Sequence, residues 1–288
     1  MTTKYTQRAN RSDTVIRKVE KILASGHTDY QKYLFFQSAM HGVCISIDDD
    51  IQSCESDEKI YHEALVHPAM LTHPNPRRVL IMGGGEGAVA REVLHHCCVD
   101  KLVMVDIDEA FVALCQQHIP TWSDGAFDDA RMEMRYQDIN LYLKECNDKF
   151  DVIIGDLVDV HDWNSPVADL YGDDFYTRLK GHLNIGAVVA TQAGPLVAND
   201  LEGHNLIRQT LRKTFEYIDS YGTVVPSFYH LWGFVLASDN PLPYREQRGF
   251  FADSAKQRGL FLPALGEDAL EASFSLPRMI QDALCQCQ

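Results

Sequence analysis

Val79-Leu-Ile-Met82 runs straight into Gly83-Gly-Gly-Glu-Gly87. An apolar strand that empties into a glycine turn and then opens a helix lets the backbone bend tightly and come close to a ligand. The turn is not the dinucleotide fingerprint G-x-G-x-x-G, because Ala88 stands where the last glycine is required. A second apolar strand, Leu102-Val-Met-Val-Asp106, ends in a carboxylate 20 residues beyond Glu86. A carboxylate there can accept both hydroxyls of a ribose, which suits an adenosine. Asp138, in Tyr136-Gln-Asp-Ile139, follows the next strand and could reach an adenine amino group, or serve only as a turn residue. The combination indicates a class I fold binding an S-adenosyl compound across the carboxyl ends of parallel strands. Fold does not select the chemistry, and most proteins of that fold are methyltransferases.

Such a pocket needs alternating strands and helices behind it, and the apolar pattern supplies them. Strands are expected at 78–82, 102–106, 132–136, 152–156 and 187–192, with helices near 88–95, 109–118 and 203–214 and apolar runs at 179–183 and 233–238. The expected fold is α/β, a Rossmann-like parallel sheet of the class I methyltransferase type with a small N-terminal antiparallel β domain. Ile16, Val19, Ile22 and Leu23 fall at helical spacing and predict a short helix over 12–26, capped by Ser12 or Asp13 and closed by Gly26. Short apolar runs from Tyr30 to Asp57 predict the small sheet. A helix over 58–72 then ends at His73-Pro-Asn-Pro76. That break divides the chain into an N-terminal extension (1–27), a small β domain (28–76) and a catalytic domain (77–288). Beyond Pro241 the pattern weakens.

The 288 residues carry 26 Lys and Arg against 41 Asp and Glu, a formal charge of −15. Phosphate neutralisation needs clustered cations, so a nucleic-acid partner is not expected, whereas a small cationic substrate suits the field. No run approaches the ~18–20 apolar residues of a membrane span. The polar first residues lack an apolar signal core, so the protein is expected in the cytoplasm. The eight cysteines form no C-x-x-C pair and no zinc-like spacing with histidine. His95-His96-Cys97-Cys98 are sequence neighbours that point in different directions, so no metal site is expected, and reduced thiols are the default.

Val152-Ile-Ile-Gly-Asp-Leu-Val-Asp159, taken with Gly83–Gly87 and with Gln52, Asp57-Glu58 and Tyr61-His62-Glu63, resembles the polyamine aminopropyltransferases, the spermidine synthase family. The resemblance spans roughly residues 28–240. Met104-Val-Asp-Ile-Asp-Glu109, Leu170-Tyr171, Thr191-Gln-Ala-Gly-Pro195 and Trp232-Gly-Phe-Val-Leu-Ala-Ser-Asp239 are most similar to the thermospermine synthase branch. The resemblance implies transfer of an aminopropyl group from decarboxylated S-adenosylmethionine, a co-substrate rather than a cofactor, to a polyamine, with methylthioadenosine released. It points to spermidine as acceptor and thermospermine as product. Putrescine as acceptor, or methyl transfer from S-adenosylmethionine to a small amine, are the alternatives. A homodimer is implied as well.

By the same resemblance Asp156 is the catalytic carboxylate that orients the amine and takes up its proton, and Glu86 holds the donor's aminopropyl ammonium. Gln31, Gln52, Gly83, Gly85, Asp106, Ile107, Asp138 and Ile139 fall on the donor side, and Tyr61, His62, Asp159 and Trp232 on the acceptor side. Tyr61 and His62 could equally pack their helix onto the sheet. The loop Asp159-Val-His-Asp-Trp-Asn-Ser-Pro166 departs from the family's Asp-Pro followed by Gly and Pro. Its Asp162 could bind a further ammonium or be solvated. Phe228 replaces a tyrosine that contacts putrescine in spermidine synthases and has no hydroxyl to offer, although Tyr229 could substitute. Amines titrate near ~10 and an unperturbed Asp near ~3.9, so Asp156 would be a feeble base and activity is expected to rise toward alkaline pH.

Overall fold

The computed structural model describes residues 3–8, 13–160, 163 and 165–286. It opens on a hairpin of β1 (Lys4–Arg8) and β2 (Thr14–Lys18), followed by the antiparallel sheet β3 (Lys21–His27), β4 (Lys32–Ser38), β5 (Gly42–Ile47) and β6 (Asp50–Cys54). The helix expected over 12–26 is replaced by β2 and β3. Its supposed apolar stripe is not buried: Ile16 is 60% and Ile22 49% exposed, and only Val19 enters the core. Thr14-Val-Ile16 is a β-branched run, stiff at χ1, and it pairs residue for residue with β1. Gly26, expected as a helix end, sits within β3 opposite Tyr33. Ser12 lies outside the described residues.

A helix, α1 (Glu58–Thr72), leads from the small sheet into the large one. It carries Pro68, which has no N–H to offer the carbonyl four residues back. The Tyr221 hydroxyl donates to that Ala64 oxygen instead, at 3.0 Å. At the other end Arg258 donates to the carbonyls of Met70 and His73, both at 2.6 Å. The weakly patterned tail is therefore helical (Phe250–Arg258, Glu267–Ala272, Arg278–Gln286), and its first helix ties down the end of α1.

The large sheet contains β7 (Arg78–Gly83), β8 (Lys101–Asp106), β9 (Met132–Tyr136), β10 (Phe150–Asp156), β11 (Leu183–Pro195), β12 (Tyr217–Val225) and β13 (His230–Ser238), in the order β12-β13-β11-β10-β7-β8-β9. From β11 to β9 the strands are parallel; β13 runs antiparallel to them, and β12, antiparallel to β13, returns to their direction. Helices α2 (Ala88–Leu94) and α3 (Glu109–His118) follow β7 and β8. Both sheet faces are covered: Val79, Ile81, Met104, Val152 and Ile154 meet α1 and α2, and Leu80, Met82, Val103 and Ile153 pack on the opposite side with Tyr176 and Leu179. This explains why the central strands read as unbroken apolar runs rather than alternating ones. No helix among the described residues is long and apolar enough to cross a membrane.

Candidate active site

The chain turns from β7 to β8 on one side and returns to β10 on the other, and at that switch point the strand ends leave a crevice. It is a cavity of about 780 Å³. Gly83 stands in register beside Asp156, with φ of +79°. A Cβ there would lie 2.3 Å from the Asp156 carbonyl oxygen, so only glycine permits the approach. At Gly85 a Cβ would press to 3.0 Å from the Asp106 carboxylate. The glycine turn therefore makes room for the two acids that flank it.

Asp106 accepts the Asp108 amide at 2.9 Å, and burial pushes its carboxyl up to about 6. Asp138 caps the helix Ile139–Glu145 through the Asn140 amide at 2.6 Å and also lines the cavity, so cap and wall are one residue. Gln31 reaches the crevice from the small sheet, its amide donating to Asp108 at 3.0 Å beside the Thr28 hydroxyl at 2.5 Å. These bonds fix the small sheet over the Asp106–Asp108 end of the crevice.

Asp156 ends β10 at the middle of the cavity. Its Oδ1 accepts the Tyr61 hydroxyl at 2.7 Å. Removal from water raises the Asp156 carboxyl to about 6, with Glu86 adding to the rise and His62 and Tyr61 opposing it. Behind the wall, His62 is fully buried, its Nδ1 3.0 Å from Glu58 and its Nε2 2.6 Å from Glu86. Burial works against charge on this ring, but the two carboxylates outweigh it and raise its pKa to about 10. An imidazolium thus sits between two acids, and Glu86 faces the cavity already held on one oxygen. The chain of charges continues inward through Glu58 to Arg91 (2.9 Å), Arg91 to Glu92 (2.8 Å), and Glu92 to His67 and His95 (3.1 Å each). Removing one member of such a buried set strands its partners. Arg91→Met is expected to cost about 3–5 kcal/mol of stability, read from urea unfolding at pH 7, and a change below about 1 kcal/mol would mean that the network is not holding α1 to α2.

Of the residues singled out from the sequence, Gln31, Gln52, Tyr61, Gly83, Gly85, Glu86, Asp106, Ile107, Asp138, Ile139, Asp156, Asp159, Phe228 and Trp232 line this one cavity. His62 does not reach it and stands behind Glu86. Tyr229 is turned away: it is half exposed, and its ring lies against the Arg17 guanidinium, 5.1 Å from the centroid. A Tyr229 hydroxyl therefore does not stand in for the one that Phe228 lacks. Asp162 lies outside the described residues, and Trp163 packs against the apolar cluster under the loop. Sequence reasoning assigned nothing to Asp108 or Gln192, both of which line the cavity. Gln192 donates to the Leu157 carbonyl at 2.8 Å and the Tyr171 hydroxyl at 3.1 Å. The signal for Gln192 was its place at the end of an apolar strand, and for Asp108 its spacing as a helix cap two residues after Asp106.

Eight carboxylates line the cavity (Asp29, Asp48, Glu86, Asp106, Asp108, Asp138, Asp156, Asp159), and no Lys, Arg or His is among the described lining residues. Such a wall concentrates cations and repels phosphates and carboxylates. A Rossmann-like sheet with an acid-lined crevice at its switch point, a glycine turn and a buried acid at the end of β8 is a ligand site of the class I transferase type, suited to a cationic ligand.

Comparison with known proteins narrows the class. Residues 58–246 match the Spermine/spermidine synthase domain. The chain is 40% identical over 275 residues to a polyamine aminopropyltransferase of Aeropyrum pernix, covering 94% of this chain and 87% of that one. It is also 40% identical over 224 residues to the thermospermine synthase ACAULIS5 of Arabidopsis thaliana, covering 77% of this chain and 66% of that one. A crystal structure of spermidine synthase in complex with the transition state analogue AdoDATO superposes with a TM-score of 0.89 at 26% identity, over 99% of this chain and 95% of that one. The chain belongs to the spermine/spermidine synthase family of polyamine aminopropyltransferases. That family takes decarboxylated S-adenosylmethionine as a substrate, not as a resident cofactor.

Proposed function

We propose that this enzyme transfers the aminopropyl group of decarboxylated S-adenosylmethionine to spermidine and makes thermospermine. The acid-lined cavity, with no basic side chain among its described lining residues, carries the reading, because both substrates are cations and both fit one wall of carboxylates. In the transfer, a neutral acceptor amine forms a new N–C bond at the propyl carbon next to sulfur. The C–S bond breaks with its electron pair on sulfur, so the sulfonium leaves as neutral methylthioadenosine and needs no general acid. The new ammonium then gives up a proton.

Asp156 is the group placed to orient the amine and accept that proton. Tyr61 occupies its Oδ1, which leaves Oδ2 for the substrate. Glu86, steadied by His62, holds the donor's terminal ammonium; Asp106 takes the ribose and Asp138 the adenine, with Gln52 on the same side. Binding thus places the two reacting atoms in line, which is most of what this displacement requires. Phe228 and Trp232, with ring centroids 4.6 Å apart, form an apolar wall on the acceptor side and offer no hydroxyl to a terminal amine. That wall and the likeness to a thermospermine synthase favour spermidine over putrescine, with Asp159 pairing an inner ammonium.

Purified enzyme given the decarboxylated donor with spermidine or putrescine, in separate reactions, tests the reading directly. Thermospermine from spermidine is the expected product, resolved from a spermine standard. Spermidine formed from putrescine as the faster reaction would replace the acceptor assignment, and turnover only with S-adenosylmethionine would replace the transfer itself.

A further inference from the structure

Arg17 lies on β2, outside the cavity, yet it is buried at 4% exposure. Its guanidinium donates to Gln7 Oε1 on the neighbouring strand at 2.6 Å and to the Ser227 carbonyl at 2.5 Å. Ser227 is the middle of the short turn Pro226–Phe228, whose last residue lines the cavity. Asp57 grips the same serine from the other side, accepting its amide at 2.6 Å and its hydroxyl at 2.9 Å. Tyr229, which closes the turn, has φ of +61°, a left-handed conformation costly for an aromatic residue. Such a residue persists only where its surroundings over-determine it. Here the Arg17 guanidinium lies over the Tyr229 ring at 5.1 Å from the centroid. The hairpin carrying Arg17 is itself pinned to the small sheet, since the Tyr5 hydroxyl bonds Ser46 Oγ at 2.9 Å and the Asp49 carbonyl at 2.5 Å.

We propose that Arg17 is a positioning residue for the acceptor: by clamping Ser227 and Tyr229 against the pull of Asp57, it sets where Phe228 stands beside Tyr61 and Trp232, and so which amine the acceptor end admits. The contacts it governs are close, with Phe228 5.9 Å from Tyr61 and 4.6 Å from Trp232 between ring centroids. The N-terminal hairpin thereby belongs functionally to the acceptor site, although none of its described residues lines the cavity. Nothing in the clamp touches the donor end, so donor binding is independent of it. The inference rests on the aminopropyl-transfer reading above.

Arg17→Gln removes the charge and the fork while keeping a polar side chain. The expected result is a roughly tenfold rise in acceptor KM, a donor Kd within about twofold of wild type by calorimetry, and a shifted ratio of kcat/KM for spermidine over putrescine. Arg17→Lys keeps the charge but not the two-pronged reach, and is expected to fall between the two. A hairpin that merely stabilised the fold would lower the active fraction and leave KM and the acceptor ratio where they were. Should Arg17→Gln not fold, Asp57→Asn weakens the opposing grip on the same serine without changing its shape, and a raised acceptor KM with a changed acceptor ratio is expected there too. Acceptor KM and ratio unchanged in the folded variants would overturn the clamp alone. A wild-type enzyme that turns over no polyamine would remove the functional reading and the clamp together.

Discussion

Asp156→Asn is expected to slow turnover by about a hundredfold or more while leaving donor affinity within a few-fold of wild type. The amide still accepts the Tyr61 hydroxyl through its oxygen, so the local geometry survives. What it loses is the charge that, in the proposed transfer, draws the acceptor amine into line and the oxygen that takes its proton. The same substitution is expected to make the protein harder to unfold. Burial raises the Asp156 carboxyl from an ordinary 3.8 to about 6, which means that the folded state holds the ionised form less well than the unfolded state does. The ionised acid thus costs up to about 3 kcal/mol above pH 6, where both states are charged. That cost fades as pH falls from about 6 toward 4 and is gone once both states are protonated. Asn should therefore raise Tm at pH 8 and give no gain near pH 3.5. In the wild type, an acid limb near pH 6 should precede a further rise toward the amine's own range, traced as kcat/KM from pH 5 to 9. Full turnover by the Asn variant would take Asp156 out of the mechanism, and a flat profile from neutral to pH 9 would count against amine deprotonation.

The parallel sheet was legible because its central strands are buried on both faces and so read as long apolar runs, each ending in a residue that does something else: Gly83, Asp106, Asp156. Carboxylates at those ends could be assigned to one crevice before any geometry was known, since parallel strands deliver their carboxyl ends to the same edge. The two strands over 14–27 were not legible in the same way. They are short and largely exposed, so the few apolar residues fell by accident at helical spacing, and pairing of β2 with β1 and of β3 with β4 decided the outcome. The buried charge network was hidden for a different reason. Glu58, His62, Arg91 and Glu92 look in sequence like the polar residues of ordinary helices, and only the packing of α1 on α2 shows that each neutralises the next. Nor could spacing reveal that His62 stands behind Glu86 rather than at the cavity wall, or that Tyr229 faces away, because one residue's side of a turn depends on a backbone conformation that tyrosine rarely adopts.

Glu86→Gln is expected to weaken binding of the decarboxylated donor about 10- to 100-fold, the loss of one charge-assisted contact to an ammonium at about 1.5–3 kcal/mol. The protein should stay folded, because a glutamine oxygen can still face His62 Nε2 and Glu58 keeps its own contact with the ring at Nδ1. The informative comparison is with S-adenosylmethionine, whose extra carboxylate would lie against Glu86 in the wild type. Two carboxylates in a cavity already lined by acids repel, and His62 offsets Glu86 from behind without offering the ligand a cation at the wall. Removing the Glu86 charge should therefore weaken the decarboxylated compound and strengthen S-adenosylmethionine, so that their Kd values converge from opposite directions in paired calorimetric titrations. A uniform loss for both ligands would point to a disturbed pocket rather than a lost charge. An unchanged preference would move the donor's ammonium to another of the carboxylates, with Asp156 next in line, and would separate the choice of donor from the glycine turn that carries Glu86.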